Sequence, residues 1–323
     1  MFPFKRKIED EELDDVKPVK KVRKRKKKAS PPKPWGKVER LIVFTFLVFI
    51  PTLSLVFFAH SKNPSTPKVL GDLTIRAPKD INLLKEQLSN EIKNKKGTYG
   101  IWVQALDNSY SLGIHENDKF DGASIFKLPL MIAYYEAVDA GNIDPATSYT
   151  LKYSDEAAGA GVLASMPPGT NVTYKDIVNA MGKNSDNSAF SIMYGILGGD
   201  SETKVINQLG MKNTNFDKSI TTSYDVGLLF YRLANSNLIS DNSKKEMLSS
   251  LEGTDFENLI PTGIPNTIRI IHKYGADNGE LNDAGIVYTS KPFILVVLSK
   301  GIDGNAAQTE IPKIAGLVYN WAK

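Results

Sequence analysis

The chain has 323 residues, of which 41% are hydrophobic, enough for one large or two small domains with a buried core. It has no cysteine, and its three histidines, His60, His115 and His272, are scattered without metal-ligand spacing. These counts exclude a disulfide framework, a thiol nucleophile and thiolate metal sites, and they disfavour a zinc site or a Ser-His-Asp triad. We therefore expect neither a metal ion nor a cofactor.

The formal net charge of +4 is distributed unevenly along the chain. Residues 1–40 carry 15 Lys and Arg against 7 Asp and Glu, so the rest of the chain carries 25 against 29. A body with a net charge of −4 has no basic excess of the kind that binds nucleic acid, and we expect no nucleic-acid partner.

Residues 1–40 combine an acidic patch, a Lys- and Arg-rich run and a proline cluster. This composition cannot form a core and predicts a disordered tail, whose basic run suits the cytoplasmic flank of a membrane span. Residues 41–59 contain no charged residue and could cross about 30 Å of hydrocarbon. They predict one N-terminal transmembrane signal anchor, with the chain from about residue 60 onward outside the cell. A cleaved signal peptide is the alternative, but the exit of the segment lacks a small-x-small cleavage site.

Residues 60–79 contain three prolines and predict a linker, so that the globular domain spans residues 80–323. Apolar residues at helical spacing predict a helix over 81–95, and a hairpin follows over 99–106 and 110–114. Residues 124–250 are helical in pattern. Three strands are predicted at 268–273, 284–288 and 293–299, before a closing helix at 311–321.

This order of elements predicts an α+β fold. Strands from both ends of the chain would form one antiparallel sheet, which the terminal helices cover on one face. The middle of the chain would form an all-helical lobe, and a site is expected in the cleft between lobe and sheet.

A serine and a lysine stand three residues apart within residues 121–130. On a helix this spacing puts Ser124 and Lys127 on one face. A lysine amine that desolvation holds neutral can take the proton of a serine hydroxyl, so the pair fits a nucleophile and its base. The alternative is a helix-capping serine beside a solvated lysine. The spacing recurs at Ser30/Lys33, Ser65/Lys68 and Ser201/Lys204.

Two further motifs follow in order, Ser185-Asp186-Asn187 after a helical stretch and Lys273-Tyr274-Gly275 at the end of a predicted strand. Together with the first motif they resemble the Ser-x-x-Lys, Ser-Asp-Asn and Lys-Thr-Gly signature of class A β-lactamases and penicillin-binding proteins. Each motif has an imitation, at Ser240-Asp241-Asn242 and at Lys95-Lys96-Gly97, but only the first set lies on suitable elements. The resemblance covers residues 80–323, the whole predicted domain.

The resemblance implies a role for each matching residue. Ser124 attacks the carbonyl carbon of a β-lactam or a D-alanyl peptide, and Lys127 helps to remove its proton. Ser185 relays a proton to the departing nitrogen. Asn187 orients Lys127 and the amide of the substrate.

Substrate binding and oxyanion stabilisation are implied for the remaining residues. Lys273, within Lys273-Tyr274-Gly275, supplies positive charge for the substrate carboxylate, and the backbone N–H groups of Ser124 and Ala276 hold the oxyanion. Two nearby lysines are also expected to lower each other's pKa. Asp186 is expected to cap its turn rather than to take part in the chemistry.

Two departures from the family pattern affect the expected activity. Tyr274 stands where the family has Thr or Ser, so the hydroxyl that contacts the substrate carboxylate is displaced. Only residues 213–220 separate Gly210-Met211-Lys212 from Thr221-Thr222-Ser223, which resembles the Thr-Thr-Pro after the omega loop. This gap leaves no room for the omega loop and its deacylating glutamate. Asp217 is the one carboxylate in this gap and is a weak candidate for a replacement base.

These observations predict a membrane-anchored, extracytoplasmic serine acyl-hydrolase that acts on β-lactams or peptidoglycan stem peptides. One alternative is a penicillin-binding D,D-carboxypeptidase or endopeptidase with little β-lactam turnover. The other is a cell-wall-binding domain that keeps the fold but is catalytically impaired.

Overall fold

The computed structural model describes residues 36–38, 79–277, 279–302 and 304–323. All of these except Gly36 to Val38 belong to one compact unit. The predicted transmembrane segment and nearly all of the predicted tail and linker therefore lie outside the described residues. No helix in the described ranges is long and apolar enough to cross a membrane.

A five-stranded sheet forms one layer of the unit. Its strands are β1 Thr98–Ala105, β2 Ser111–Ile114, β7 Arg269–Asp277, β8 Glu280–Tyr288 and β9 Phe293–Lys300. They lie in the order β2-β1-β9-β8-β7, and every neighbouring pair is antiparallel. Two of the strands come from the start of the domain and three from its end, so the predicted sheet is confirmed.

The terminal helices α1, Ile81–Ile92, and α8, Gly304–Ala322, contribute to the core on one face of this sheet. Asp80 caps α1 by accepting a 2.8 Å hydrogen bond from the N–H of Asn82. Leu84 and Leu88 recur at helical spacing and are fully buried. Strand β9 is apolar on both of its faces because it is central in the sheet and packed on both sides.

The other face of the sheet packs against a helical lobe. Its central helix, α2, begins at Lys127, and its residues 127–135 are buried on every side, as expected of a helix inside a lobe. The lobe contains five further helices: α3 Tyr174–Lys183, α4 Asn187–Leu197, α5 Ser201–Leu209, α6 Ser223–Asn235 and α7 Asp241–Ser250.

Short strands complete the lobe. Strand β3, Phe120–Asp121, precedes α2 in the chain and pairs with β6, Ile220–Thr221. Strand β4, Ser148–Thr150, pairs with β5, Asn171–Thr173. The 3₁₀ turn Ala123–Phe126 then lies against β7. The start of α2 therefore sits where the lobe meets the edge strand of the sheet.

Candidate active site

Ser124 lies in the 3₁₀ turn Ala123–Phe126 that leads into α2. Ala123 has a φ of 44°, a left-handed conformation that is uncommon outside glycine. Asp121 Oδ1 holds this turn by accepting hydrogen bonds from Ala123 N at 2.7 Å and Ser219 Oγ at 2.6 Å. The side-chain amide of Asn282, on β8, donates to the backbone carbonyl of Asp121 at 2.8 Å. The turn that carries Ser124 is thus fixed to the sheet and to the connection before β6.

Lys127 occupies the first turn of α2 and is only 4% exposed. Its amine donates to Ser124 Oγ at 2.8 Å and to Asn187 Oδ1 at 2.7 Å, and it lies 3.4 Å from Ser185 Oγ. Burial lowers the pKa of Lys127 to about 8, against the opposing effect of the Asp186 carboxylate. The amine is therefore close enough to neutrality to accept a proton from Ser124.

Ser185 is fully buried between α3 and α4, with a left-handed φ of 52°. Asp186 Oδ1 caps α4 through Ala189 N at 2.8 Å, and its Oδ2 accepts from Val162 N at 2.6 Å and Leu163 N at 2.8 Å. Asp186 therefore holds the Ser185 loop, in keeping with its expected capping role.

Asn187 begins α4, and its side-chain amide bridges two parts of the site. Its Nδ2 donates to the carbonyl of Ala158 at 2.7 Å, while its Oδ1 accepts from Lys127. Gly159 has a φ of 104°, and a Cβ there would lie 2.5 Å from Asn187 Nδ2. A glycine is thus needed where this loop passes the asparagine.

Lys273 projects from β7 and is 1% exposed. Its amine donates to Ser185 Oγ and to the carbonyl of Tyr274, each at 2.8 Å. Burial lowers the pKa of Lys273 well below its usual range, and the charge of Lys127 lowers it further. The expected mutual effect of the two lysines therefore holds for Lys273, whereas for Lys127 burial is the cause.

Gly275 brings β7 close to the turn that carries Ser124. A Cβ at this position would lie 3.2 Å from the carbonyl oxygen of Gly122 and 3.3 Å from the backbone nitrogen of Ser124. Any side chain here would push the strand away from Ser124. Ala276 follows and lines the cleft with Ser124, so the two residues predicted to supply oxyanion donors lie on the same cleft.

The Tyr274 side chain does not line this cleft. Its ring stacks on Phe256 with centroids 4.5 Å apart, and it packs against the core beneath the terminal helices. Side chains alternate along a strand, so Lys273 and Gly275 face the site while Tyr274 faces away. Only the backbone carbonyl of Tyr274 contributes to the site, by accepting a hydrogen bond from the Lys273 amine.

The cleft has a volume of ≈ 410 Å³, and one of its walls is aromatic. The lining residues are Ala123, Ser124, Phe126, Lys127, Asn187, Phe190, Phe216, Ser219, Ala276 and Asp277. Sequence reasoning did not identify Phe190 and Phe216. Phe190 could have been found, because it lies three residues after Asn187 on one helix, whereas nothing in residues 213–220 marks Phe216.

Asp217 lies in the exposed turn between Asn215 and Ile220 and is not among the residues that line the cleft. Asp277 is the one carboxylate among the described residues that line the cleft, and it lies beyond Ala276 on β7. In the described ranges, neither Asp217 nor Asp277 forms a hydrogen bond with Ser124 or Lys127, and no three His, Asp or Glu side chains group as a metal site would require.

The imitations of the motifs have other structural partners. Lys204 pairs with Asp200 at 2.9 Å on the surface, and Lys95 pairs with Glu310 at 2.9 Å. Ser240 caps α7, and its hydroxyl donates to Asp139 at 2.8 Å. The other two Ser-x-x-Lys pairs lie outside the described residues.

The family model described as the beta-lactamase enzyme family matches residues 83–322. A β-lactamase of Mycobacterium tuberculosis is 23% identical over 229 residues, which cover 64% of this chain and 73% of that protein. The crystal structure of a β-lactamase from Sphaerobacter thermophilus superposes with a TM-score of 0.70 at 27% identity and covers 75% of this chain and 97% of that one.

The structure of PBP-A also has a TM-score of 0.70, at 23% identity, over 76% of this chain and 97% of that one. A mutant of PBP-A is known as an acyl-enzyme complex with penicillin-G. At this level of identity the likeness to PBP-A concerns the fold alone.

Proposed function

Since the chain belongs to the beta-lactamase enzyme family and is a β-lactamase-like serine hydrolase, we propose that Ser124 forms an acyl-enzyme with β-lactams or D-Ala-D-Ala peptides. The observation that carries this proposal is the 2.8 Å hydrogen bond between the buried amine of Lys127 and Ser124 Oγ. A solvated lysine beside a capping serine would not have its pKa lowered to about 8.

In the acylation step, neutral Lys127 takes the proton of Ser124 Oγ as the oxygen bonds to the carbonyl carbon. The carbonyl oxygen becomes an oxyanion, which the backbone N–H groups of Ser124 and Ala276 bind. When the oxyanion collapses, the C–N bond breaks and the nitrogen receives a proton from Lys127 through Ser185. In a β-lactam the leaving amine stays joined to the acyl group by the rest of the opened ring.

Lys273 serves two purposes in this scheme. Its hydrogen bond to Ser185 Oγ directs a lone pair of that oxygen toward Lys127, which completes the path for the proton. Its cation would be the partner of the substrate carboxylate, which ordinarily lies next to the scissile bond in both substrate classes. Binding of a carboxylate would raise the pKa of Lys273 and favour its charged form.

The residues around the cleft favour a second candidate function, in which the acyl group is released slowly. Phe216 occupies the wall of the cleft that the short connection at residues 213–220 supplies, and Asp217 of this connection is exposed. An acyl-enzyme without a positioned base should hydrolyse slowly. This favours a penicillin-binding D,D-carboxypeptidase or endopeptidase over an efficient β-lactamase.

The two candidates differ in the fate of the acyl-enzyme. We would add benzylpenicillin to the full-length protein and follow its intact mass over time, with Ser124→Ala as the control. One equivalent bound for many minutes supports the penicillin-binding candidate, while rapid release with many turnovers supports a β-lactamase. No labelling of the wild type at all would favour the cell-wall-binding domain and contradict the enzymatic proposal.

We also propose that residues 41–59 anchor the chain in the membrane with the catalytic unit outside the cytoplasm. The uncharged segment and the basic run before it support this orientation. Because the chain lacks cysteine, single cysteines can report topology. In intact cells an impermeant thiol reagent should label Ser191→Cys, on the exposed face of α4, but not Ser30→Cys. The reverse pattern would contradict the orientation. Labelling of neither variant in intact cells would also contradict it, provided that both variants are labelled after the cells are lysed.

A further inference from the structure

Four aromatic side chains form a cluster beside the nucleophile: Phe126, Phe190, Tyr194 and Phe216. Phe216 is at the centre of this aromatic cluster, with ring centroids 5.6 Å from Phe126, 6.3 Å from Phe190 and 6.0 Å from Tyr194. Phe190 and Tyr194, one turn apart on α4, stack at 6.0 Å. The rings come from three separate segments of the chain, so the cluster is a product of the tertiary fold.

The cluster is open to the cleft on one side. Phe126 is 7% exposed, whereas Phe190 and Phe216 are half-buried, and all three line the cleft with Ser124. The Lys127 amine lies 6.0 Å from the centroid of the Phe190 ring. An aromatic surface left partly exposed next to the reacting hydroxyl can gain free energy only when something apolar covers it.

The position of the two lysines indicates which part of a substrate would cover it. This step rests on the proposed function, in which the substrate carboxylate, on the leaving-group side, binds Lys273. Neither Lys273 nor Ser185 lines the aromatic part of the cleft, whereas Asn187, the expected partner of the acyl amide, does. The leaving group and the acyl side chain must therefore extend to opposite sides of Ser124, with the acyl side chain toward Phe190 and Phe216.

A charged residue on the β7 side of the cleft limits the chemistry of that side chain. Asp277 lines the same cleft from β7 and is exposed. An anionic acyl side chain would meet both an apolar wall and a like charge. A neutral ring would instead stack on or pack edge-to-face with the aromatic pair.

We propose that Phe190 and Phe216 are specificity-determining residues that bind a neutral, planar apolar group on the acyl side chain of the substrate. They also cover the acylated Ser124 from water on their side of the cleft once the ring is bound.

The test compares two ligands that differ only by one ring. Benzylpenicillin carries a neutral phenylacetyl group, and its acetyl analogue has the same nucleus without the ring. We expect the second-order rate constant for acylation of Ser124, from intact mass against time, to be about tenfold higher for benzylpenicillin, the size of one favourable aromatic contact and its burial. Carbenicillin, which adds a carboxylate beside the ring, should lose this advantage.

Phe216→Ala should reduce the ratio of the benzylpenicillin rate to the acetyl-analogue rate from about tenfold to about twofold or less. Phe216→Leu, which preserves bulk at the centre of the cluster, provides a second variant if the alanine variant does not fold. Tyr153→Ala removes an aromatic side chain that is 79% exposed and does not line the cleft, and it should retain the preference.

The outcomes separate this inference from the proposed function. If neither ligand acylates the wild type, the proposed function fails. If both acylate Ser124 at equal rates, or if the preference survives in Phe216→Ala and Phe216→Leu, the aromatic wall does not select the acyl side chain and the inference is overturned. A preference for a penicillin with a cationic acyl side chain over benzylpenicillin would also overturn it.

Discussion

The amine of Lys127 lies 2.8 Å from Ser124 Oγ and is 4% exposed to solvent. The same amine donates to Asn187, so two oxygens hold it in place while burial removes the water that would stabilise its charge. Proximity and a lowered pKa are separate requirements for a general base, and this one contact meets both.

The rate of acylation should rise with pH until the pKa of Lys127 is passed. Only the neutral amine can accept the Ser124 proton, and the pKa of Lys127 is about 8. Well below this value the neutral fraction, and with it the acylation rate, should fall about tenfold for each pH unit. Intact-mass kinetics with benzylpenicillin from pH 6 to pH 9 measures the profile.

Lys127→Arg is the matched control because guanidinium keeps the charge but does not lose its proton in this range. It should be poorly acylated at every pH. A flat profile in the wild type, or an arginine variant with normal rates, would remove Lys127 from the role of base.

Gly275→Val should slow acylation by on the order of 10²-fold, because displacement of about 1 Å at a reacting group can cost that much. The new side chain would meet the backbone of Gly122 and Ser124 within 3.3 Å of its first carbon. Gly195→Ala is the control, since nothing lies within 4 Å of a Cβ at that helical position. Circular dichroism should show both variants folded, and a normal rate in Gly275→Val would show that the strand can move without affecting Ser124.

Asp186→Ala should lower the free energy of unfolding by about 3 kcal/mol, because three N–H donors, two of them buried, lose a charged acceptor. Asp186→Asn keeps one oxygen and should lose less. Urea unfolding of the three proteins gives the comparison. If alanine were no worse than asparagine, the loop that carries Ser185 would be held by other contacts.

The sheet and the three motifs could be predicted because local rules specify them. Strand periodicity marked β7, β8 and β9, and the motif order placed Ser124, Ser185 and Lys273 on suitable elements. The direction of Tyr274 followed from the same two-residue period: it lies between Lys273 and Gly275, which face the site, and so must face away. The resemblance places Tyr274 among the substrate-binding residues from its motif position alone, which does not take the alternation of side chains along the strand into account.

The aromatic wall could not be predicted in the same way. Phe216 belongs to a connection with no periodic pattern, and it meets Phe126 and Phe190 only through the tertiary fold. The burial of Lys127 could not be predicted from the sequence either. Proximity of two cations suggested that each lysine lowers the pKa of the other, but the depth of Lys127 in the lobe has the larger effect and depends on every neighbour that excludes water.

Glu202→Gln should stabilise the protein near neutral pH. Glu202 is fully buried in the first turn of α5, and neither of its carboxylate oxygens has a hydrogen bond to another described residue. Burial raises its pKa, so the ionised form opposes folding at pH values above its folded pKa. We expect a gain of about 1 kcal/mol at pH 7 that disappears at pH 4, where the carboxyl is protonated in the fold.

Chemical unfolding at both pH values measures the effect, and Glu86→Gln, at an exposed position of α1, should change neither value. A loss of stability in Glu202→Gln at pH 7 would mean that the carboxylate has a favourable partner in the folded protein.

The stabilising contribution of His272 to the folded protein should decrease as the pH rises from 6.5 to 8. The side chain is fully buried on β7 between Asp283, whose Oδ1 lies 2.7 Å from Nδ1, and Glu257, whose Oε1 lies 3.0 Å from Nε2. Thr254 Oγ1, at 3.4 Å from Nε2, is the uncharged neighbour. Burial alone would lower the pKa of His272, but the two carboxylates outweigh it and raise the pKa to about 9.

A pKa raised on folding stabilises the protein fully below the unfolded value of about 6.5, and this contribution is lost as the pH rises through the folded value. At about 1.4 kcal/mol per pH unit, the loss between pH 6.5 and pH 8 amounts to about 2 kcal/mol. The window ends near pH 8 because Lys127, with a pKa lowered to about 8, then begins to add stability with rising pH. Lys273, whose pKa is also lowered on folding, affects the wild type and His272→Gln alike. Urea unfolding across this window should therefore show the stability of the wild type falling by about 2 kcal/mol relative to that of His272→Gln. Equal slopes in the two proteins would show that His272 folds without its extra proton.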